Sequence, residues 1–313
     1  MASFLQQFRR ATTQMAIRQA LTVTATLPLD LQRSIIHPLV SLTGRIPMLR
    51  TRVRRNMCLA LGQEVPAQSE EQYFRHVNWV LCNSLSTFHY GIEATSVPED
   101  VKFDDSIRLL DDAVGQGRGV VLASGHWSGH ELVAAIINRR HPMALIVRPA
   151  STSERATRKL KWYSALGTEI VMRPNGVSTI KDAVAYLNVL KKGKLLAITP
   201  DLLAESGQGV ETRIFGRPAR LHGGAFALAI AAKAPMIRLS LQWQSDSGVV
   251  AMFDCAPKII DASGRDAAIR AGVQDWCLWF EGKLRANPEN WLFWLDKRWS
   301  RFLRASPSVP GAK

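Results

Sequence analysis

"GVVLASGHWSGHELVAAIINRRHPMALIVRP", residues 119–149, runs from a short apolar stretch through a glycine-bearing turn into a helical pattern and out into a second apolar stretch. The first run, 119–125, is too short and too rich in valine for a helix and is closed by glycine, so it reads as a buried strand. Residues 130–140 place apolar side chains at helical spacing, and 143–149 read as a second strand. A helix between two strands carries the chain back across the sheet, so the strands pair in parallel. The same alternation continues with a helix over 153–167, a strand over 168–174, a helix over 179–193 and a strand over 194–201. It resumes with a helix over 223–235 and strands over 236–243 and 248–257, and a helix over 106–117 precedes it all. Near-continuous apolar strands separated by helices predict an α/β fold with a largely parallel sheet covered by helices on both faces.

In open sheets of this kind, ligands bind beyond the carboxyl ends of the strands. The polar residues expected there are Ser124, His126 and Glu131 after the first strand, Arg148 after the second, Arg173 after the third and Asp201 after the fourth. Four readings of the cluster around His126 compete. A serine nucleophile on a strand–helix elbow needs Gly-x-Ser-x-Gly, and Ser128 stands one position late. A metal site could use His126 and His130 with Glu131 or His141, but there is no HExxH, and a helix starting at 130 does not carry both histidines on one face. A histidine–carboxylate dyad would need His126 in the turn and Glu131 in the first helical turn, because residues five apart on one helix point roughly 140° away from each other. Gly125 and Gly129 permit such a turn, and a carboxylate bonded to one ring nitrogen makes the other a general base. The fourth reading is a histidine merely satisfied in a turn.

The chain has 313 residues and a formal charge of +14, from 40 Lys and Arg against 26 Asp and Glu. The excess is concentrated: residues 1–55 hold nine arginines, no lysine and one acid, Asp30. The arginines are interleaved with Phe4, Phe8, Met15, Ile17 and Leu21, a composition suited to an anionic membrane surface. No nucleic-acid-binding signature accompanies the charge, so nucleic acid is not an expected partner. The longest uncharged runs in this segment, 19–29 and 34–44, fall short of the ~20 residues a spanning helix needs, and Arg18 interrupts any signal-peptide core. Residues 1–95 therefore read as a helical, basic, membrane-associating segment, including a helix over 69–88 capped by Ser69. Residues 96–313 read as the α/β domain, ending in aromatic, basic helices. Cys58, Cys82, Cys255 and Cys277 are scattered, with no CxxC pair and no metal-ligand spacing.

Several blocks, in order along most of the chain, resemble the lipid A biosynthesis lauroyl/myristoyl acyltransferase family. They are "RRNMCLALG" (54–62), "GVVLASGHWSGHEL" (119–132), "LIVRPAS" (145–151), "ITPDLLAESGQGVETRIFGRPARLHGGAFALAIAAKAPMI" (198–237) and "NWLFWLDKRWSR" (290–301). The resemblance implies an acyltransferase with the fold of glycerolipid acyltransferases and no cofactor or metal. Its histidine and acid fall on His126 and Glu131, and its further blocks make Arg148 and Asp201 candidate substrate-binding residues. By their charge, Arg158 and Lys161 join Arg148 as candidates to hold acceptor phosphate or the donor's phosphopantetheine, with solvated surface charge the alternative for those two. It implies acyl carrier protein or acyl-CoA as donor, the hydroxyl of a membrane lipid resembling a lipid A precursor as acceptor, and a peripheral place on the cytoplasmic face of the bacterial inner membrane. The same chemistry on a lysophospholipid, another glycolipid or an amine, or a lipid-binding relative without turnover, are the alternatives.

Overall fold

The computed structural model describes residues 19, 27–172, 180–205, 207–244, 248–257 and 264–305, with the side chain of Arg33 outside that set. The described residues form nine strands: β1 (Val101–Phe103), β2 (Val120–Ser124), β3 (Met143–Val147), β4 (Glu169–Met172), β5 (Leu195–Ile198), β6 (Val210–Ile214), β7 (Arg217–Leu221), β8 (Met236–Gln244) and β9 (Gly248–Cys255). Seven of them form one sheet in the order β1-β9-β8-β2-β5-β3-β4, parallel at every junction except the antiparallel β8–β9 pair. All five residues of β2 are buried, so helices and loops cover both faces at the centre. The α/β architecture expected from the sequence is the one observed. All six expected strands are in this sheet; β1, three residues long, carries too short a pattern to be read.

Helices precede the sheet and alternate with its strands: α1 (Leu29–Ser41), α2 (Pro47–Leu61), α3 (Ala67–Tyr90), α4 (Val97–Asp100), α5 (Ile107–Gly115), α6 (His130–Arg140), α7 (Ser153–Ala165), α8 (Ile180–Lys191), α9 (Gly224–Ala232), α10 (Arg265–Ala286) and α11 (Lys297–Arg304). Ser69 is not the cap of its helix. Pro66, extended at ψ 141°, occupies the N-cap position, and Ser69 is buried in the first turn. Proline's fixed φ sets the chain up for the helix three residues earlier than the serine would.

The β6–β7 hairpin was not legible as strands, because its pattern is charged and half-exposed. Its turn, Phe215–Gly216, has positive φ at both residues (54° and 69°), as a two-residue hairpin turn matching the strand twist requires. Phenylalanine is strained there by ~1 kcal/mol or more. The strain persists because its ring is wedged among Phe280, Trp291, Trp294 and Trp299 and its backbone N–H donates to Glu281 Oε1 at 2.8 Å.

Those rings belong to an aromatic core that joins the C-terminal segment to the sheet. Trp127, Trp276, Trp291, Trp294 and Trp299 are all at most 2% exposed. α2 is tied to it by one buried amide: Asn56 Nδ2 donates to Trp294 O at 2.6 Å and Ser300 Oγ at 2.9 Å. Replacing Asn56 by alanine strands the buried Trp294 carbonyl, and denaturant unfolding is expected to show a loss of ~1–3 kcal/mol. An unchanged midpoint and slope would mean that water replaces the amide at no cost.

Candidate active site

The turn after β2 is shaped by residues far away in sequence. A Cβ on Gly125 would come within 2.8 Å of Phe280 Cε2, so only glycine fits there. Gly129, at φ 90°, is the N-cap residue of α6. Between them the backbone is stapled to the stretch 290–292: Ser128 N donates to Asn290 O (2.7 Å), Leu292 N donates to His126 O (2.9 Å), and Trp127 and Trp291 form an antiparallel bridge. The Trp127 indole N–H also donates to Leu239 O on β8 at 2.7 Å.

His126 thereby hangs over the carboxyl end of β2, and its partner comes from β5. Asp201 Oδ1 lies 2.6 Å from His126 Nδ1, while Asp201 Oδ2 accepts from the His126 backbone N–H at 2.8 Å and from Trp291 Nε1 at 2.8 Å. Trp299 Nε1 donates to the Asp201 carbonyl at 3.2 Å. Asp201 is fully buried. Burial by itself raises its pKa, but the imidazole and the hydrogen bonds from His126 and Trp291 outweigh that and hold it below the ordinary carboxylate value. A carboxylate at Nδ1 requires the proton there, which leaves Nε2 with its lone pair free. One ring face is stacked on Phe293, with centroids 4.1 Å apart, and the edge meets His130 at 5.0 Å.

Glu131, expected to be the partner of His126, bonds elsewhere. Its Oε1 accepts from Tyr163 Oη at 2.5 Å and its Oε2 from Trp162 Nε1 at 3.0 Å, both on α7. The physical reason is that Asp201 already occupies Nδ1, and the first turn of α6 points Glu131 at α7. Burial first, then the Glu131 carboxylate, pushes the Tyr163 phenol up, so it remains a donor. Asp201, expected to touch substrate, instead has its carboxylate closed in behind the histidine.

His126 and Glu131 do share one cavity of about 310 Å³, with Ser124, His130, Arg148 and Lys159 at its polar side. Leu122, Leu145, Ile146, Ile198 and Leu239 supply an apolar side. Burial first, with help from His126, lowers the pKa of His130, and its Nδ1 lies 2.9 Å from the Trp127 carbonyl. Of the sequence candidates on α7, Lys161 sits 4.5 Å over the Phe88 ring and Arg158 Nη1 lies 3.5 Å from Glu154; neither lines the cavity. The α7 cation that does is Lys159, whose Nζ donates to Arg148 O at 2.5 Å and whose pKa is lowered, mainly by burial. Residues 159, 162 and 163 share one helix face, whereas 158 and 161 lie roughly 100° and 160° round from Lys159. The aromatic pair Trp162–Tyr163 was the available signal for the inward face. Arg173 lies outside the described residues, as do residues 4–17 and 21 with their interleaved aromatic and aliphatic side chains.

Among the described residues, no three or more His, Cys, Asp or Glu side chains stand together so as to hold a metal ion. The arrangement can take a proton at Nε2 and stabilise the charge so formed, beside a slot suited to an alkyl chain. Over residues 2–301 the chain matches the model of a family described as bacterial lipid A biosynthesis acyltransferase. No curated protein matches it.

Proposed function

We propose a reaction from the premise that the chain belongs to the bacterial lipid A biosynthesis acyltransferase family and is therefore an enzyme that moves an acyl group to a lipid acceptor. The donor in this reading is a fatty acyl thioester, on acyl carrier protein or coenzyme A, and the acceptor is a hydroxyl of a membrane-associated glycolipid. The observation that carries it is the clamp on His126: a buried carboxylate at Nδ1 and a free Nε2 at the mouth of a partly apolar cavity. His126 Nε2 takes the hydroxyl proton as the oxygen attacks the thioester carbonyl carbon. The tetrahedral intermediate collapses by breaking the C–S bond, and the thiolate recovers the proton from the imidazolium. Ester and thiol leave, and no covalent enzyme intermediate is needed.

Positive charge develops on His126 during attack, and Asp201 stabilises it in direct contact. Glu131 adds a second negative charge on the wall of the same cavity. In the turn, the N–H groups of His126, Ser128 and His130 are already committed, which favours Lys159 and Arg148 as the oxyanion's partners. The acidic nature of acyl carrier protein suits the +14 chain. Transfer of labelled acyl chains from each thioester to a lipid A precursor, together with lipid profiles of a deletion strain, tests donor and acceptor. Unchanged profiles and no transfer would defeat this reading.

The two carboxylates make a ranking. Glu131→Gln keeps an acceptor for Trp162 and a donor for the Tyr163 oxygen, so the fold is expected to survive. kcat/KM should fall about 10–100-fold, as for loss of one favourable charge near a transition state. Steady-state kinetics decide: if this variant is more damaged than Asp201→Asn, then Glu131, not Asp201, is the carboxylate on which the base depends.

A further inference from the structure

α1 is amphipathic in the wrong sense for a helix on the surface of a water-soluble protein. The side it turns to α3 carries polar contacts: buried Gln32 Oε1 accepts from Ser86 Oγ at 3.3 Å, and Asn78 Nδ2 donates to Ser41 Oγ at 2.8 Å. Two of its three leucines, Leu31 and Leu39, face outward. Leu31, Ile35 and Leu39 recur every four residues and so drift only about 40° per step round the helix. Leu42, Ile46 and Met48 continue the exposed apolar series into the 3₁₀ turn Leu42–Arg45 and the start of α2, and all six side chains are 42–76% exposed. Ordinary surface helices do the reverse, turning their apolar stripe inward, and monomers seldom leave a contiguous series of this kind in water.

Cations lie along the same strip. Arg45 is exposed between Leu42 and Ile46. Beside Met48, a hollow of about 750 Å³ is lined by Pro47, Arg50, Thr51, Arg54 and Arg55, together with Glu64 and Glu70. Glu70 neutralises Arg50 at 2.7 Å, and Glu64, largely exposed, stands 3.4 Å from Arg54. Apolar side chains flanked by arginines on a helix parallel to a surface are the pattern of an interfacial anchor. No described helix is long and apolar enough to cross a membrane.

We infer that α1, the 3₁₀ turn and the start of α2 dock the enzyme in the plane of an anionic bilayer. Leu39 and Met48 enter the acyl boundary, and Arg45, Arg54 and Arg55 meet lipid phosphates. This rests on the proposed reaction only in that the acceptor there comes from a lipid surface; the observations that carry it are separate.

The test is co-sedimentation of the full chain with vesicles of phosphatidylcholine alone or mixed with phosphatidylglycerol. Leu39→Glu and Met48→Glu are each expected to weaken partitioning about tenfold or more on both vesicle types, the effect of removing one buried apolar side chain. Arg54→Glu combined with Arg55→Glu should weaken it only on the anionic vesicles and flatten its dependence on salt. Ile180→Glu, at an 85% exposed apolar position on α8, should change nothing. Undiminished binding of Leu39→Glu and Met48→Glu, or equal release by Ile180→Glu, overturns the docking. So does a wild type that ignores vesicles but falls to half its mass on Leu39→Glu, which would make the strip an interface between two copies. Acyl transfer to a detergent-dispersed acceptor, unaffected by these variants, keeps the two readings apart. Vesicle binding without transfer defeats the reaction alone, and transfer without vesicle binding defeats the docking alone.

Discussion

An enzyme carrying His126→Ala is expected to fold, to bind vesicles like the wild type, and to lose acyl transfer by at least 10²–10⁴-fold, the usual contribution of a general base. No neighbour can take over its role. His130 lies one ring away, but its Nδ1 is engaged with the Trp127 carbonyl and its backbone is fixed in the first turn of α6. The substitution has a second, structural cost. Asp201 Oδ1 loses the His126 ring while Oδ2 keeps the backbone N–H and the Trp291 indole, so stability should fall by ~1–3 kcal/mol. Circular dichroism and denaturant unfolding separate that loss from catalysis. Near wild-type kcat/KM in a folded His126→Ala protein would remove the histidine from the mechanism.

Asp201→Asn tests the clamp itself and is expected to approach the same loss, up to ~10⁴-fold in kcat, because it reverses the tautomer. An asparagine oxygen would still accept from the His126 and Trp291 N–H groups. Its amide would then face Nδ1 as a donor, forcing the ring proton onto Nε2, where it blocks the base. Binding of the acyl donor should be nearly unchanged, so the loss belongs in kcat and not in KM. The acid limb of stability provides an independent readout. The Asp201 carboxyl is held below its ordinary value, so its contribution is present above the ordinary carboxylate range. That contribution is lost as pH falls through the lowered folded value. Asp201→Asn removes that component, and its stability should therefore decline less steeply in acid than that of the wild type. An Asp201→Asn enzyme with full activity, or one with the wild type's acid profile, would show that the buried carboxylate neither sets the tautomer nor is ionised.

The sequence determined the fold class, because strand and helix periodicities are local. Valine-rich runs of five residues and amphipathic segments of eleven declare themselves whatever lies across the sheet. It also placed His126 at the end of a strand, since Gly125 and Gly129 bracket it there, and sheet ends are where ligands bind. It did not pair that histidine correctly. Local spacing offered only Glu131, five residues away, whereas the observed partner lies 75 residues on. The link is sheet order: β5 inserts between β2 and β3, with Ala123 opposite Ile198, so the residues three places beyond each, His126 and Asp201, meet at the shared carboxyl edge. Strand order is fixed by how helices pack on both faces of the sheet, and no run of residues encodes it alone. The same holds for the α7 cation. Lys159 rather than Arg158 or Lys161 lines the cavity because Trp162 and Tyr163 turn that face toward Glu131, and a helix's rotation about its axis is decided by what it packs against.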